Sequence, residues 1–252
     1  MLNSDVMKSS FLGIARGVFV DTLIYPFDVI KIRQQNLPGS GSCIKIAMEI
    51  FRQEGFKAFY AGLTPQLYKN GLRHTWWWPV MTQMPKELKP HIQSPFLGQA
   101  LTGFFIGTLD AMLSAPFERG KVLSAAAGES KFSLSTALES GWQGVSVSWA
   151  KRSVSMMTFL CTQEHLREAY RRDKKPLNPA TLTYIGTQVA FIVSIVSAPF
   201  DFANTKRLSQ EVKPADLLSV KSFSQFFRGW PIHLLSLVVH NVASVVLLEK
   251  LN

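Results

Sequence analysis

One short motif occurs three times in this chain. It reads YPFDVIK at 25–31, APFERGK at 115–121 and APFDFAN at 198–204, so each copy places an acidic residue two positions after a proline. An aromatic-x-Gly unit follows each copy, and these units end at Gly62, Gly144 and Gly229. Repetition at a nearly fixed period is typical of proteins built from one repeated unit. The sequence therefore predicts three tandem copies of one structure.

A pair of small residues four positions apart precedes each motif. The pairs are Gly13 and Gly17, Gly103 and Gly107, and Gly186 and Ala190. Residues four apart share one face of a helix, and small residues on that face let helix backbones approach closely in lipid. We expect close helix packing at the same level of all three units.

Six largely apolar tracts separate these markers. They are 9–34, 63–84, 97–124, 144–168, 181–208 and 230–250. Crossing a hydrocarbon core of about 30 Å takes about 20 helical residues, so each tract is long enough to span it. A hydrophobic content of 47% with only 17% charged residues is also unusual for a soluble domain. The pattern predicts an all-α membrane protein with six transmembrane helices in three tandem helix pairs.

The three helix pairs are expected to form a single domain over 1–252. The approximate repeats are 9–90, 91–178 and 179–252. In repeat one, apolar residues at helical spacing in the segment 43–55 predict a short amphipathic helix at the membrane interface. Shorter or less regular counterparts are expected near 131–140 and 214–227.

The net charge of +10 suits either nucleic acid or an anionic membrane surface. The basic residues are scattered among apolar tracts rather than gathered into a basic domain, which favours the membrane. The five histidines form no ligand pair, the two cysteines match no metal or redox spacing, and no phosphate loop or nucleophile elbow is present. We expect a protein that is not an enzyme and that uses no cofactor or metal.

These motifs resemble the signature of the mitochondrial carrier family. Its odd helices carry Pro-x-Asp/Glu-x-x-Lys/Arg, and an acidic-Gly and an aromatic-Lys/Arg-Gly follow the interfacial helix. Repeat one has PFDVIKIRQQ and EGFKAFYAG, repeat two has PFERGK and WQG without the acidic-Gly, and repeat three has PFDFAN and FRG. Ala61 and Asn204 stand where the family has a base. The resemblance covers essentially the whole chain and implies a pseudo-three-fold barrel whose cavity opens alternately to either side, as in antiport.

The resemblance also implies a ring of charges that closes the matrix side. Proline bends each odd helix inward, and the residues just beyond it meet on the axis, with Gln35 bracing the ring from beneath. The expected links are Asp28 with Lys121, Asp201 with Lys31, and Glu118 with Asn204. Only two of these links can be ionic. The prolines of this matrix-side gate are Pro26, Pro116 and Pro199.

A second gate is implied at the opposite side, at the ends of the even helices. Glu164, Arg167 and Glu249 fit its pattern, but Asn252 replaces a base, and the second helix lacks the motif. This gate is expected to be weak, which favours the conformation that is open on that side.

Internal alignment on the three glycines gives candidate substrate contacts. The candidates that line the cavity are Lys69, Arg73, Lys151, Arg152, Asp21, Ser236 and His240. Lys69, Lys151 and Ser236 match the family's main contact positions, whereas Arg152 points about 100° away from Lys151. Asp110 is expected to turn partly towards a neighbouring helix. For the charged candidates, interfacial snorkelling or an internal ion pair is the alternative interpretation.

A net positive lining favours an anionic substrate, because a buried phosphate or carboxylate needs cationic partners. A nucleotide such as ATP or ADP is the leading prediction, although Ser236 and the Lys-Arg pair at 151–152 argue against it. S-adenosylmethionine or an amino-acid-like solute is the alternative, because GVFVDTLIYPFDVIK resembles the first helix of S-adenosylmethionine carriers. A degenerate carrier that serves as a membrane receptor or scaffold is the alternative from another class.

The resemblance places the chain in the mitochondrial inner membrane as a multi-pass protein. We expect a monomer that binds a small anionic substrate and an anionic lipid such as cardiolipin, with no nucleic-acid partner. The sequence does not reveal the source organism. A foreign protein that is targeted to mitochondria is therefore one of the open alternatives.

Overall fold

A computed structural model describes residues 4–36, 42–92, 94–128, 142, 144–173, 178–210 and 223–251. Over these residues the regular structure is helical throughout. The α-helices are α1 (Ser4–Asn36), α2 (Cys43–Gln53), α3 (Leu63–Leu88), α4 (Pro95–Ala127), α5 (Val145–Arg172), α6 (Pro179–Gln210) and α7 (Trp230–Leu251). Each predicted apolar tract coincides with one of the six long helices, and the prediction of an all-helical fold is confirmed.

The recurring aromatic-x-Gly unit is the turn that starts each even helix. Gly62, Gly144 and Gly229 have φ of 86°, 84° and 79°, a left-handed conformation that glycine adopts without steric cost. They directly precede α3, α5 and α7. A side chain at Gly62 would also meet the carbonyl oxygen of Lys121 and the hydroxyl of Tyr25, both at 2.8 Å. Both the backbone conformation and the space around it therefore require glycine at this turn.

The six long helices form a ring. Each contacts the next long helix along the chain, and α7 contacts α1, which closes the ring. The three proline-containing helices, α1, α4 and α6, also contact one another in all three pairings. We call these three contacts the α1–α4, α1–α6 and α4–α6 seams.

The small residues of repeat two lie where α4 packs on α5. A Cβ placed on Gly103 would lie 2.7 Å from the backbone of Met157, and one on Gly107 would meet the backbone of Ser153. Met157 and Ser153 are four residues apart, so the two helices touch backbone to backbone over one turn. This is the close approach that the small-residue spacing predicts for repeat two.

Polarity is inverted relative to a soluble protein. Charged side chains fill the interior, where Asp201, Glu118 and Lys69 are 2%, 6% and 6% exposed. Large apolar side chains lie on the outside, as in Phe19, which is 60% exposed, and Phe191, which is 47% exposed. An apolar exterior around a polar interior is the arrangement expected of helices that are surrounded by lipid and enclose a cavity.

Among the described residues, two helices are apolar and long enough to cross a membrane by composition alone: Pro95–Ala127 and Pro179–Ser209. The hydropathy of α1, α3 and α5 is lowered by charges that face the interior, such as Asp21, Lys69 and Lys151. The six-span prediction is therefore met in helix length, and mean hydropathy supports it for two helices.

The predicted interfacial helix of repeat one is α2. Ser42 caps its N-terminus by accepting a hydrogen bond from the Ile44 amide, and Ile46 and Ile50 are buried in the apolar cluster with Tyr25 of α1. The expected counterpart at 131–140 lies outside the described residues, as do 214–222. The rest of the third segment, Phe223–Phe227, is a 3₁₀ turn that corresponds to the turn Phe56–Tyr60 before Gly62. The prediction of an interfacial helix up to residue 227 was wrong at that end.

Candidate functional site

Two of the three expected ring links are ion pairs in the structure. Lys121 of α4 donates to Asp28 of α1 at 2.6 Å, across the α1–α4 seam. Lys31 of α1 pairs with Asp201 of α6 at 2.8 Å, across the α1–α6 seam. Both pairs lie within two turns of the helix prolines, as the motif spacing requires. Helix α1 is thereby joined to both of the other proline-containing helices.

The third link, between Glu118 and Asn204, is not formed. Glu118 instead accepts hydrogen bonds from Lys69 and Arg152, both at 2.9 Å. Asn204 accepts a hydrogen bond from the Ser148 hydroxyl at 2.6 Å. The physical reason is charge: a neutral amide cannot compete with two cations for a carboxylate that is 6% exposed.

Lys151 lies between two seam helices although it belongs to neither. Its ammonium is 2.6 Å from one oxygen of Asp201 on α6 and 3.8 Å from Glu118 on α4. Asp201 therefore has two lysine partners, Lys31 and Lys151. A residue that the sequence assigns to the substrate cavity is thus also part of the charge ring.

Arg152 forms internal ion pairs. It pairs with Asp110 and with Glu118, and Asp110 also accepts a hydrogen bond from Ser114 at 3.1 Å. These contacts agree with the expectation that Asp110 turns towards a neighbouring helix. They favour the interpretation of Arg152 as an internal ion-pair residue over that of a direct substrate contact.

Asp21 of α1 and Arg73 of α3 lie on two helices that contact each other. Asp21 accepts a hydrogen bond from the side-chain amide of Asn70. Arg73, one turn beyond Lys69, lies with its guanidinium 5.9 Å from the centre of the Trp77 ring. The Nε atom of Arg73 is buried without a hydrogen-bond partner. Within the described part of the chain, the Arg73 side chain forms no ion pair. Sequence reasoning missed Asn70, which is 1% exposed, because an amide beside a lysine gives no motif.

The remaining cavity candidates lie on α7. Ser236 is buried and faces inward, and His240 follows one turn later on the same helix. Helix α7 thus contributes no charged residue to the cavity positions that the glycine alignment selects. The cationic part of the site lies on α3 and α5.

Gln35 contacts the start of α7. Its amide donates to the carbonyl oxygen of Arg228 at 3.2 Å, and the side chain is 1% exposed. It therefore links the end of α1 to the turn at Gly229, below the ring.

A second set of contacts surrounds the ring, and sequence reasoning missed it. Arg33 donates to the Ala125 carbonyl at 3.0 Å and forms a double hydrogen bond with Glu54. Lys206 donates to the Asn36 carbonyl at 3.2 Å. Arg33 and Lys206 each lie seven residues after a motif proline, and this shared offset was the available signal. We call these two contacts the peripheral clasps.

The opposite-side gate residues do not form a closed contact among the described residues. Glu164 and Arg167 both lie on α5, no ion pair joins them there, and the Arg167 Nε is buried without a partner. The side chain of Glu249 and residue Asn252 lie outside the described part. In that part, no group of three or more histidine, cysteine, aspartate and glutamate side chains is arranged to hold a metal ion.

A ring of six long helices with charges inside and apolar residues outside is the arrangement expected of a polytopic membrane protein. A family profile described as mitochondrial carrier protein matches residues 3–91. The chain is 22% identical to the mitochondrial dicarboxylate/tricarboxylate transporter DTC of Arabidopsis thaliana, over 95% of this chain and 90% of the relative. It is 20% identical to the "Probable mitochondrial 2-oxoglutarate/malate carrier protein" of Dictyostelium discoideum, over 98% of this chain and 89% of the relative.

A shorter and more similar match is the human mitochondrial electrogenic aspartate/glutamate antiporter. It is 40% identical over 65 residues, which are 22% of this chain and 10% of the relative. The profile match and these relatives support the mitochondrial carrier family as the family of this chain. They likewise support a solute transporter that is a multi-pass protein of the mitochondrial inner membrane.

Proposed function

We propose that this carrier exchanges small dicarboxylates through the cavity lined by α3 and α5. The observation that supports this most directly is Arg73, a half-buried side chain with no ion pair among the described residues and with a buried Nε that has no hydrogen-bond partner. Partial burial of an unpaired cation has a cost in free energy. An unsatisfied buried polar group in a native structure calls for an explanation, and an anionic ligand supplies one.

The second cationic position is Lys151 on α5. Its present partners are side-chain carboxylates, with Asp201 at 2.6 Å. The nearby Lys69 on α3 is likewise held by Glu118, at 2.9 Å. Side-chain carboxylates therefore satisfy these cations, and a substrate carboxylate is chemically equivalent to them. Two cationic helices facing one cavity suit a solute with one carboxylate for each.

The nucleotide prediction receives less support than a dicarboxylate. The relatives above are named as transporters of dicarboxylates, tricarboxylates, 2-oxoglutarate, malate, aspartate or glutamate. The Trp77 ring, which could stack on a nucleobase, lies against Arg73. Ser236 adds no cation on α7 for a third phosphate. The small-anion class stands, and we therefore assign the substrate to carboxylates.

An acidic amino acid is the second candidate, and Asp21 favours it. Its carboxylate accepts a hydrogen bond from the neutral Asn70 amide, so it can still attract an ammonium group. Arg73 lies on the same side of the cavity as Asp21, one turn from Asn70 along α3. A substrate with both a carboxylate and an ammonium group would satisfy both residues.

Transport is proposed to use alternating access in a barrel of three tandem repeats, 9–90, 91–178 and 179–252. The ring pairs Asp28–Lys121 and Lys31–Asp201 serve as the matrix-side gate. Glu164, Arg167 and Glu249 serve the opposite gate. Contact among all three proline-containing helices supports closure at the ring side. Substrate binding would open the ring by competing for its cations.

The amphipathic helix α2 supports a role for anionic lipid at the interface. Ile44, Met48 and Phe51 are 67%, 49% and 60% exposed on its outer side. Lys45 and Arg52 are exposed beside them. Apolar side chains with flanking bases suit the boundary between acyl chains and acidic headgroups, where a lipid such as cardiolipin is proposed to bind a monomeric carrier.

The test is uptake into liposomes that contain the purified protein and are loaded with malate. We expect labelled malate to exchange and labelled ATP not to exchange. Arg73→Gln, Lys69→Gln and Lys151→Gln should each reduce malate uptake at least tenfold, because each removes a cavity cation. Arg172→Gln is the matched control, since it also removes one positive charge but from a side chain that is 81% exposed.

Uptake of aspartate in preference to malate would favour the amino-acid candidate, and Asp21→Asn should then abolish it. Exchange of ATP at the rate of malate would contradict the proposal. A folded protein that exchanges none of these solutes would support the receptor or scaffold alternative.

A further inference from the structure

The α4–α6 seam differs from the two seams of α1. The α1–α4 and α1–α6 seams each have a ring ion pair, at 2.6 Å and 2.8 Å. Each also has a peripheral clasp, from Arg33 to Ala125 and from Lys206 to Asn36. At the α4–α6 seam the expected ring link, Glu118 with Asn204, is not formed.

The corresponding clasp cannot form at the α4–α6 seam. The residue seven positions after Pro116 is Leu123, which is 39% exposed and has no polar group to donate. The seam thus lacks two basic residues. Asn204 replaces the base of the ring, and Leu123 replaces the base of the clasp. Both losses fall between repeats two and three.

The motif positions of the ring carry more acidic than basic residues. Three acidic residues at the motif positions face two lysines, because position 204 is an asparagine. Lys69 and Arg152 compensate the Glu118 carboxylate, but the ion pairs that they form are with carboxylates of α4. Lys151 of α5 adds a positive charge that also reaches α6. Among the described residues, it is the lysine that contacts carboxylates on both α4 and α6, at 3.8 Å and 2.6 Å.

We propose that Lys151 closes the α4–α6 seam in place of the base absent at position 204, so that a substrate carboxylate captured by Lys151 also releases this seam. The second half rests on the proposed transport function. In this arrangement one side chain both binds the solute and holds the gate. The weakest seam is then the one that substrate binding opens first.

The test is a double-mutant cycle read by the melting temperature of the purified protein without any solute. Lys151→Gln removes the bridge and should lower the melting temperature by roughly 5–10 °C. In that background Asn204→Lys should restore at least half of the loss, because it returns a base to the ring. In the wild-type background the same substitution should give no gain, because it adds a cation to a satisfied ring.

Two control variants separate charge from shape. Asn204→Met has a side chain of similar length to lysine without the charge, and it should rescue nothing. Lys151→Arg keeps the charge and should keep the melting temperature within about 2 °C of wild type, which also shows that position 151 tolerates substitution. Equal effects of Asn204→Lys in both backgrounds would overturn the proposal.

Transport separates this proposal from the proposed substrate. The double variant should regain thermal stability but not malate uptake, since Lys151 is also a solute contact. Asn204→Lys alone should lower the maximal rate with little change in the half-saturating concentration, because the gate is held more firmly. Coupling in the melting cycle without uptake of any tested solute would keep the seam assignment and reject the transport proposal. If the effects on the melting temperature are additive and malate uptake is normal, the seam assignment is rejected and the transport proposal is kept.

Discussion

Helix α1 and the α4–α6 seam represent two ways of closing the same ring. Helix α1 reaches both neighbours through its own motif, with Lys31 on Asp201 and Asp28 on Lys121. The α4–α6 seam depends on Lys151, which comes from an even helix and from the cavity wall. The family profile matches residues 3–91, the repeat that keeps most of the signature. A seam that has lost a motif base can therefore keep an ionic contact when a neighbouring cation reaches its carboxylates.

The largest effect is expected from Asp201→Asn, because Asp201 serves both kinds of seam. It is 2% exposed and pairs with Lys31 at 2.8 Å and Lys151 at 2.6 Å. The change would remove the carboxylate partner of the buried Lys31 and the nearer of the two carboxylate partners of Lys151, at a cost of about 3–5 kcal/mol. Thermal unfolding of the purified protein measures it.

Asp173→Asn is the control for Asp201→Asn, because it removes the same charge from an exposed position at the end of α5. We expect Asp173→Asn to change the melting temperature by less than a quarter of the change that Asp201→Asn causes. A melting temperature of Asp201→Asn equal to that of wild type would show that the two lysines do not depend on this carboxylate.

An intermediate effect is expected at the clasp of the α1–α4 seam. Arg33→Gln removes a hydrogen bond to the Ala125 carbonyl and a two-point contact with Glu54. Because Glu54 is partly exposed, we expect a loss of about 1–2 kcal/mol. Arg33→Lys should recover less than half of this loss in the free energy of unfolding, since an ammonium group cannot make the paired contact with the Glu54 carboxylate.

Leu123→Gln is the comparison for Arg33→Gln in repeat two, at the equivalent position after Pro116. The native leucine makes no clasp, so this change should cost little. Similar losses for both substitutions would remove the distinction between the two seams.

The smallest effect is expected from pH. The hydrogen bond from Arg33 lowers the pKa of Glu54 below its ordinary value, and partial burial opposes this shift. A carboxyl with a lowered folded pKa contributes stability above the unfolded pKa of about 4.3, and this is lost as pH falls through the folded pKa. The contribution is below about 1 kcal/mol for a pair this exposed.

The comparison is between wild type and Glu54→Gln, melted from pH 7 to pH 3. Wild type should be more stable at pH 7, and the difference should shrink below pH about 4.3. A difference that stays constant down to pH 3 would mean that Glu54 does not act through its charge.

The helices could be predicted from local spacing, and the partners in two ring pairs from the resemblance of the repeated motif to the mitochondrial carrier signature. Proline, aspartate and lysine within six residues fix which face of α1 meets the axis, and Gly62 fixes the start of α3. The partners of Glu118 could not be predicted in the same way. Its contacts with Lys69 and Arg152 depend on the rotation and depth of α3 and α5 relative to α4, which no motif encodes.

Other features were hidden because they involve neutral or apparently peripheral residues. Ser148 bonds to Asn204 across α5 and α6, and Asn70 bonds to Asp21 across α3 and α1. Neither pair carries a charge pattern that sequence spacing could detect. Lys151 was predicted as a cavity residue, but its contacts with Asp201 and Glu118 depend on how α5 packs against α6 and α4, which sequence spacing does not encode.

The most direct test of the dicarboxylate assignment compares two labelled acids that differ by one carboxylate. Succinate and propionate would be offered to malate-loaded liposomes containing the wild-type protein, with protein-free liposomes as background. With cationic positions on α3 and α5, each needing a carboxylate, we expect succinate to enter at least tenfold faster than propionate. Equal rates for the two acids would contradict the two-cation cavity.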